Sequence, residues 1–349
     1  MNIRALVRPN IRALKPYRSA RQDHLTGMLL DANENAFGST LRADGLALNR
    51  YPDPLQQKLR ARLAALNNAA LDRIFVGVGS DEVIDLLMRT FCEPRVDDVV
   101  LLEPTYGMYR VAASIQDVRI TSCLLDSSYQ IDVARTIASV GENTKLVFCC
   151  SPNNPTGNLL RLDDIAELCR RLHALVVVDE AYIDFARNGS VASLATTYDN
   201  LVVLRTLSKA WGLAAIRLGY CLAHPTIVSL LLNVKAPYNI NALTNDAAMR
   251  ALDNTDVLQQ NIENILRERA RLMAALAVLP SVRRVFHSDA NFVLVRVDDA
   301  PRVYDFLARR GIIVRNRSSE PTLENCLRIT VGTPDENEAL LSALRDYTA

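Results

Sequence analysis

The sequence predicts an α/β protein. A large domain built on a mainly parallel, mixed sheet with helices on both faces is followed by a smaller α+β domain. Three observations carry this. Short apolar runs rich in branched residues recur at Asp98-Val99-Val100-Leu101-Leu102, Lys145 to Cys150, Leu175 to Val178 and Asn200 to Leu204. Segments with helical spacing separate them, the alternation expected of βαβ units and a parallel sheet. After a long helical stretch the chain changes character, to short strands set between single helices.

Taken in order, the first twenty residues are basic and carry no hydrophobic segment of the secretory type. Arg50-Tyr51-Pro52-Asp53-Pro54 reads as a turn, with Pro54 placed to be a first helical residue. Leu55, Leu59, Leu63 and Leu66 then mark one helix face. Ile74 to Gly79 is a strand ending in glycine, and Ser80-Asp81-Glu82 opens a helix with Val83, Ile84, Leu87 and Met88 inward. That joint has two readings. One is a plain N-cap. The other is a phosphate site made by Ser80 and the backbone at Asp81, in which the Asp81 and Glu82 carboxylates point away from the anion or serve the helix dipole.

The strand 98–102 leads into Glu103-Pro104-Thr105-Tyr106-Gly107-Met108-Tyr109, and the strand 145–150 into Ser151-Pro152-Asn153-Asn154-Pro155-Thr156-Gly157. Seven turn-forming residues in succession demand a specific, rigid loop. A helix over 163–173 precedes the strand 175–178, which ends in Asp179-Glu180-Ala181-Tyr182. The strand 200–204 runs into Arg205-Thr206-Leu207-Ser208-Lys209, with Arg217 further on and one more strand at 218–223. Helical pattern dominates from Pro225 to about Leu279. From Thr255 onward, Leu258, Ile262, Ile265, Leu266 and Met273 mark a helix that bridges the domains. The tail predicts strands at 282–286, 292–297, 312–314 and 327–331, with helices near 302–309 and 335–347.

Composition excludes several function classes. The chain has 349 residues, 49% hydrophobic and 23% charged, as a soluble globular protein does. With 40 basic and 39 acidic residues, the net charge of +1 gives no footprint for nucleic acid or a membrane surface. No apolar run approaches the roughly 18 residues of a membrane span. The seven cysteines show no CxxC spacing and lie mostly in apolar runs, which predicts buried free thiols. The four histidines are scattered and form no metal-ligand cluster.

Ligands of open α/β sheets collect at strand ends. Here the strand ends offer Ser80 and Asp81, Tyr106, Asn154, Asp179 with Tyr182, and the set around Lys209. Lys209 stands between small hydroxyl residues and an apolar patch. It is either an ordinary surface lysine or an amine kept neutral and nucleophilic by desolvation. Ser208, Thr206 and Arg217 would set a phosphate beside it, which suggests pyridoxal 5'-phosphate held as a Schiff base.

Together these groups resemble the fold type I pyridoxal-phosphate-dependent aminotransferases, nearly end to end. Within them the chain looks like the histidinol-phosphate aminotransferases. The closer likeness rests on Leu14-Lys15-Pro16-Tyr17, Asp31 to Asn35, Arg50-Tyr51-Pro52, Pro104 to Tyr109, Ser151 to Gly157, Asp179 to Tyr182, Arg205 to Ala210, Val314 to Arg317 and Cys326 to Gly332. The resemblance implies a transaminase that passes the amino group of L-histidinol phosphate to 2-oxoglutarate, in histidine biosynthesis. A threonine-phosphate decarboxylase or an aromatic amino acid aminotransferase of the same fold is the alternative, and a non-catalytic binder of the same cofactor the reading from another class.

The implied roles follow residue by residue. Lys209 is the covalent anchor and then the proton-moving base. Asp179 pairs with the pyridine nitrogen and keeps it protonated. Asn154 and Tyr182 hydrogen-bond the ring oxygen, and Tyr106 stacks on the ring. Ser80, Asp81 through its backbone, Thr206, Ser208 and Arg217 hold the cofactor phosphate, joined by Tyr51 from a neighbouring subunit in a homodimer with shared sites. Arg315 and Arg328, helped by Tyr17 and Asn33, take the substrate's anionic end. Composition alone reads Arg315 and Arg317 as solvated charges, and the motif singles out only Arg315. The implied layout is an N-terminal arm at 1–40 packing on the small domain and active site, a large cofactor-binding domain at 41–255 and a small domain at 256–349, in a cytoplasmic enzyme.

Overall fold

The computed structural model describes the chain except residues 18, 25, 42–44 and 348–349. Its large sheet contains β1 (Ile74–Val78), β2 (Asp98–Glu103), β3 (Arg119–Leu124), β4 (Thr144–Cys150), β5 (Leu175–Asp179), β6 (Leu201–Thr206) and β7 (Leu218–Leu222). They lie in the order β1-β7-β6-β5-β4-β2-β3. Pairings from β3 through β6 are parallel, and β7 is antiparallel to both β1 and β6. The sheet is therefore mixed and mostly parallel, as predicted.

Each central strand is buried on both sides, which is why it reads as an unbroken apolar run. Val176 and Val178 of β5 enter one core, with Val147 and Val203, while Leu175 and Val177 enter the other, with Phe148 and Val202. β3 has no counterpart in the prediction. It is an edge strand with only Cys123 buried, so it lacks the apolar signature.

The helices before the small domain are α1 (Ile3–Leu6), α2 (Pro9–Arg12), α3 (Gln57–Leu66), α4 (Gly79–Phe91), α5 (Met108–Ile115), α6 (Val133–Ala138), α7 (Leu162–Arg171), α8 (Pro225–Val234) and α9 (Ala242–Ala251). α3 starts later than predicted. Pro54 is not its first residue, because Gln56 takes a left-handed conformation at φ 47° and the Asp53 carboxylate instead receives the N–H groups of Leu55 and Gln57. The first residues also differ from expectation. Ile3 and Val7 join the large-domain core beside α4 and α8, and Arg8 pairs with Glu93 at 3.2 Å, so this end of the arm docks on the large domain rather than the small one. Two buried aliphatic side chains four residues apart explain the choice.

α10 (Thr255–Leu276) connects the two parts. Its Ile262 packs behind Tyr182 with Phe292, while Leu272 and Leu276 belong to the core of the small domain. That domain holds β8 (Val282–Val285), α11 (Ala300–Arg309), α12 (Pro334–Arg345), β9 (Phe292–Val297), β10 (Arg315–Asn316) and β11 (Cys326–Thr330), with sheet order β10-β11-β9-β8, all antiparallel. The strand expected at 312–314 falls on Arg315 and Asn316 instead. Val314 turns into the core and Ile313 stays exposed, and the ladder partners of β11 are the two polar residues that follow. All seven cysteines are free and buried, as the sequence predicts.

Candidate active site

The carboxyl ends of β4, β5 and β6 and the N-terminus of α4 surround a cavity of about 140 Å³. Ser80, Asp81, Tyr106, Asn154, Asp179, Tyr182, Thr206, Ser208, Lys209 and Arg217 all line it, so most of the residues singled out in the sequence come together.

The floor is Asp179, the last residue of β5. Its Oδ2 accepts the Tyr109 hydroxyl at 2.8 Å and its Oδ1 the Ala181 N–H at 3.0 Å. Burial pushes the Asp179 carboxyl up, and these two donors and the nearby Lys209 charge pull it back. Tyr109 is itself fully buried, stacked on Phe148 with ring centroids 4.7 Å apart. Sequence reasoning gave Tyr109 no role. The available signal was its spacing: Tyr109 stands in the first turn of α5, three residues after Tyr106 in the loop that leads into that helix. The two rings meet edge to face at 5.5 Å.

Lys209 follows β6 in a tight turn, with its Nζ 5.4 Å from the centre of the Tyr182 ring. Surrounding protein, then the Arg328 charge, lower the pKa of this amine, and Asp179 and Asp81 oppose the shift. Tyr182 is held by Phe292 against its edge at 5.1 Å. Asn154 offers its amide N–H to the Tyr182 oxygen at 3.4 Å. The other end of the same amide, Oδ1, accepts Arg328 Nη1 at 2.6 Å, so Arg328 fixes which way round Asn154 sits. The loop carrying Asn154 is buried from 151 to 157. Asn153 Nδ2 locks it to the Pro104 carbonyl at 2.9 Å and to Thr156 Oγ1 at 2.7 Å.

The opposite end of the cavity is a cluster of donors. Ser208 N–H bonds Thr206 Oγ1 at 3.1 Å, and Arg217 Nη1 reaches Ser208 Oγ at 3.4 Å. The first-turn N–H groups of α4 have no intrahelical acceptors. Two glycines make room for this approach. A Cβ on Gly79, which sits at φ +71°, would lie 2.7 Å from Arg217 Nη2, and one on Gly219 would lie 2.2 Å from the Ser80 nitrogen.

Glu82 does turn away, accepting the Val78 N–H at 2.5 Å and Asn239 Nδ2 at 2.9 Å. Asp81 does not. Its carboxylate lines the cavity, accepting the Tyr106 hydroxyl at 3.2 Å and facing Arg217 Nη2 at 3.4 Å. The Arg217 guanidinium offsets part of its charge, which lessens the repulsion of an anion bound there.

This donor set fits the expected cofactor. A buried carboxylate, a neutralisable amine and a hydroxyl–guanidinium cradle at a helix N-terminus occupy one cavity, and each suits one part of pyridoxal 5'-phosphate.

The remaining predicted residues lie outside that lining. Arg315 is exposed and directly opposite Arg328 in the β10–β11 ladder. Tyr17 is 70% exposed. Tyr51 and Asn33 line a second pocket of about 510 Å³, where Tyr51 stacks on Tyr238 at 4.5 Å. A buried cluster that the sequence did not disclose organises that pocket. Glu34 accepts Arg21 Nη2 at 2.6 Å, Arg50 Nη1 at 2.8 Å and the Tyr51 N–H at 2.5 Å.

Comparison with known proteins follows the same lines. The family model for aminotransferase class I and II matches residues 24–344. A histidinol-phosphate aminotransferase of Cytophaga hutchinsonii is 47% identical over 98% of this chain and 98% of its own length. One from Flavobacterium psychrophilum is 43% identical over 99% and 98%. Among solved structures, the histidinol-phosphate aminotransferase of Sinorhizobium meliloti in complex with pyridoxal-5'-phosphate superposes with a TM-score of 0.80 at 26% identity, covering 90% of this chain and 89% of that one.

Proposed function

This chain belongs to the class I and II aminotransferase family, and from that premise we propose that it is a pyridoxal-phosphate-dependent transaminase of histidine biosynthesis. It converts L-histidinol phosphate and 2-oxoglutarate to imidazole acetol phosphate and L-glutamate, the activity for which its relatives at 41–47% identity are named. The observation that carries the reading is a single cavity in which the Lys209 amine, the buried Asp179 carboxylate and the Arg217 cradle converge, with arginines 315 and 328 beyond Asn154.

Bound pyridoxal 5'-phosphate supplies an aldehyde for the amino group and a ring that draws electrons from the substrate carbon losing its proton. The chain's own residues do the rest. Asp179, kept available as a carboxylate by Tyr109 and the Ala181 N–H, would hold the proton of the ring nitrogen. Ser80, the backbone at Asp81, Thr206, Ser208 and Arg217 would bind the cofactor phosphate. Asn154 and Tyr182 would orient the ring oxygen, and Tyr106 would cover the ring and exclude water. Lys209 Nζ, with its lowered pKa, takes the substrate proton and returns it. Arg328 and Arg315 would receive the anionic end of either substrate, with Tyr17 and Asn33 closing over it.

We further read the enzyme as a homodimer with shared sites. Tyr51 lines a pocket separate from the Lys209 cavity, and Met28, Leu30 and Phe37 of the arm are exposed, as a covering partner would require. A sedimenting mass equal to one chain would sink this part. Among the described residues no helix is long and apolar enough to cross a membrane, and we place the enzyme in the cytoplasm. The substrate is tested by offering purified protein histidinol phosphate, threonine phosphate or phenylalanine with 2-oxoglutarate. Glutamate should form fastest with histidinol phosphate. Faster glutamate from phenylalanine, or CO2 from threonine phosphate, would replace the reading.

A further inference from the structure

Three arginines leave one face of the small-domain sheet. Arg315 and Arg328 are directly opposed in the antiparallel ladder, so their side chains share a face. Arg317 has the same parity as Arg315, and its N–H bonds the Cys326 carbonyl at 2.9 Å, which carries the register on. Arg328 reaches Asn154 Oδ1 at 2.6 Å, so this face looks toward the cavity. Like charges directly opposed destabilise a sheet. An anion bound between the two would offset that cost.

Among the described residues, neither Arg315 nor Arg328 has a carboxylate within ion-pair distance, whereas Arg317 Nη2 is paired with Glu320. The pair is incomplete. Arg317 Nε and Glu320 Oε2 are buried without a hydrogen-bond partner, although the Arg317 side chain is only 12% exposed. A buried donor left without a partner can serve a ligand that displaces its present neighbour. The charge of Arg317 is felt at both Tyr182 and Arg328.

We propose that Arg317 is a specificity-determining residue of the substrate site, recognising a phosphate monoester, and that Glu320 is the internal carboxylate with which that phosphate competes. Three guanidiniums against one carboxylate leave a charge of +2. A phosphate monoester carries about −2 near neutral pH, whereas a carboxylate carries half of that and needs only one arginine fork. The assignment rests on the phosphorylated substrate proposed above.

The test compares Arg317→Gln, Arg317→Lys and Glu320→Gln holoenzymes in the two half-reactions, with inorganic phosphate as a competing probe. Arg317→Gln should raise KM for histidinol phosphate and the inhibition constant of inorganic phosphate by roughly tenfold, the scale of one charge-assisted hydrogen bond. It should leave the glutamate half-reaction within about twofold. Arg317→Lys, which keeps the charge without the fork, should recover part of the loss, and Glu320→Gln should tighten inorganic phosphate. Equal losses in both half-reactions, or weaker phosphate binding in Glu320→Gln, would overturn the assignment and leave the pair as a clamp on its loop. If Arg317→Gln does not fold, the other two variants decide. Wild-type protein inert toward histidinol phosphate would defeat the functional reading, and the inorganic phosphate measurement would still judge Arg317.

Discussion

At the scale of single residues, Asp179 depends on its donors. Asp179 is almost wholly buried under Tyr109, so each hydrogen bond to its carboxylate counts more than one at the surface. Removing the Tyr109 hydroxyl leaves the Ala181 N–H as the one remaining donor among its described partners. Tyr109→Phe keeps the stacking on Phe148 and deletes about 1.5–3 kcal/mol of hydrogen bonding to the charged form. Cofactor affinity of the apoprotein should fall roughly ten- to a hundredfold in a direct titration, with a melting temperature lowered by a few degrees. Unchanged affinity would mean that Asp179 needs no help from Tyr109. Asp179 was legible because it stands among polar groups at several neighbouring strand ends, a set that together carries the family resemblance. The sequence did not disclose Tyr109, because a tyrosine in an apolar helix face is equally a core residue.

At the scale of elements, the site is held by rigid loops with internal hydrogen bonding rather than by side chains alone. The run 151–157 was legible because turn-forming residues cannot pack in helices or strands. The arm was legible only in part. Its aliphatic start carried no signal for its docking place, and the Glu34 cluster joins Arg21, Arg50 and the Tyr51 backbone across gaps that no local pattern spans. Burial works against the Glu34 charge, but Arg50, the Tyr51 N–H and Arg21 together hold its carboxyl below the ordinary carboxylate range. A lowered folded pKa means that the stabilisation is complete above the ordinary value, about 4.3. It is then lost as the pH falls through the folded value. Limited proteolysis should therefore cut the arm faster on acidification below about pH 4. Glu34→Gln should raise the rate at neutral pH severalfold, since it deletes charge-assisted bonds of about 1.5–3 kcal/mol. Equal rates in both proteins at neutral pH would show that Glu34 does not anchor the arm.

At the scale of the whole molecule, two sheets meet at the cavity through α10 and the loop at Asn154. The large sheet brings the amine, the acid and the hydroxyl–guanidinium cluster, and the small sheet brings Arg328, which reaches Asn154 of the cavity wall. This division was readable because a long helical stretch is followed by short strands set between single helices. Edge strand β3 was missed and the short β10 was expected three residues too early, since neither has a buried run to betray it. Long-range partners such as Arg328 with Asn154, 174 positions apart, belong to the fold and not to any stretch of sequence.

The central claim is that the Lys209 amine carries the cofactor. Borohydride reduction of the holoenzyme, followed by peptide mass spectrometry, tests it most directly. The account predicts one phosphopyridoxyl group per chain, on the peptide containing Lys209 and nowhere else. A label on another lysine, or a chain that takes up none, would contradict it.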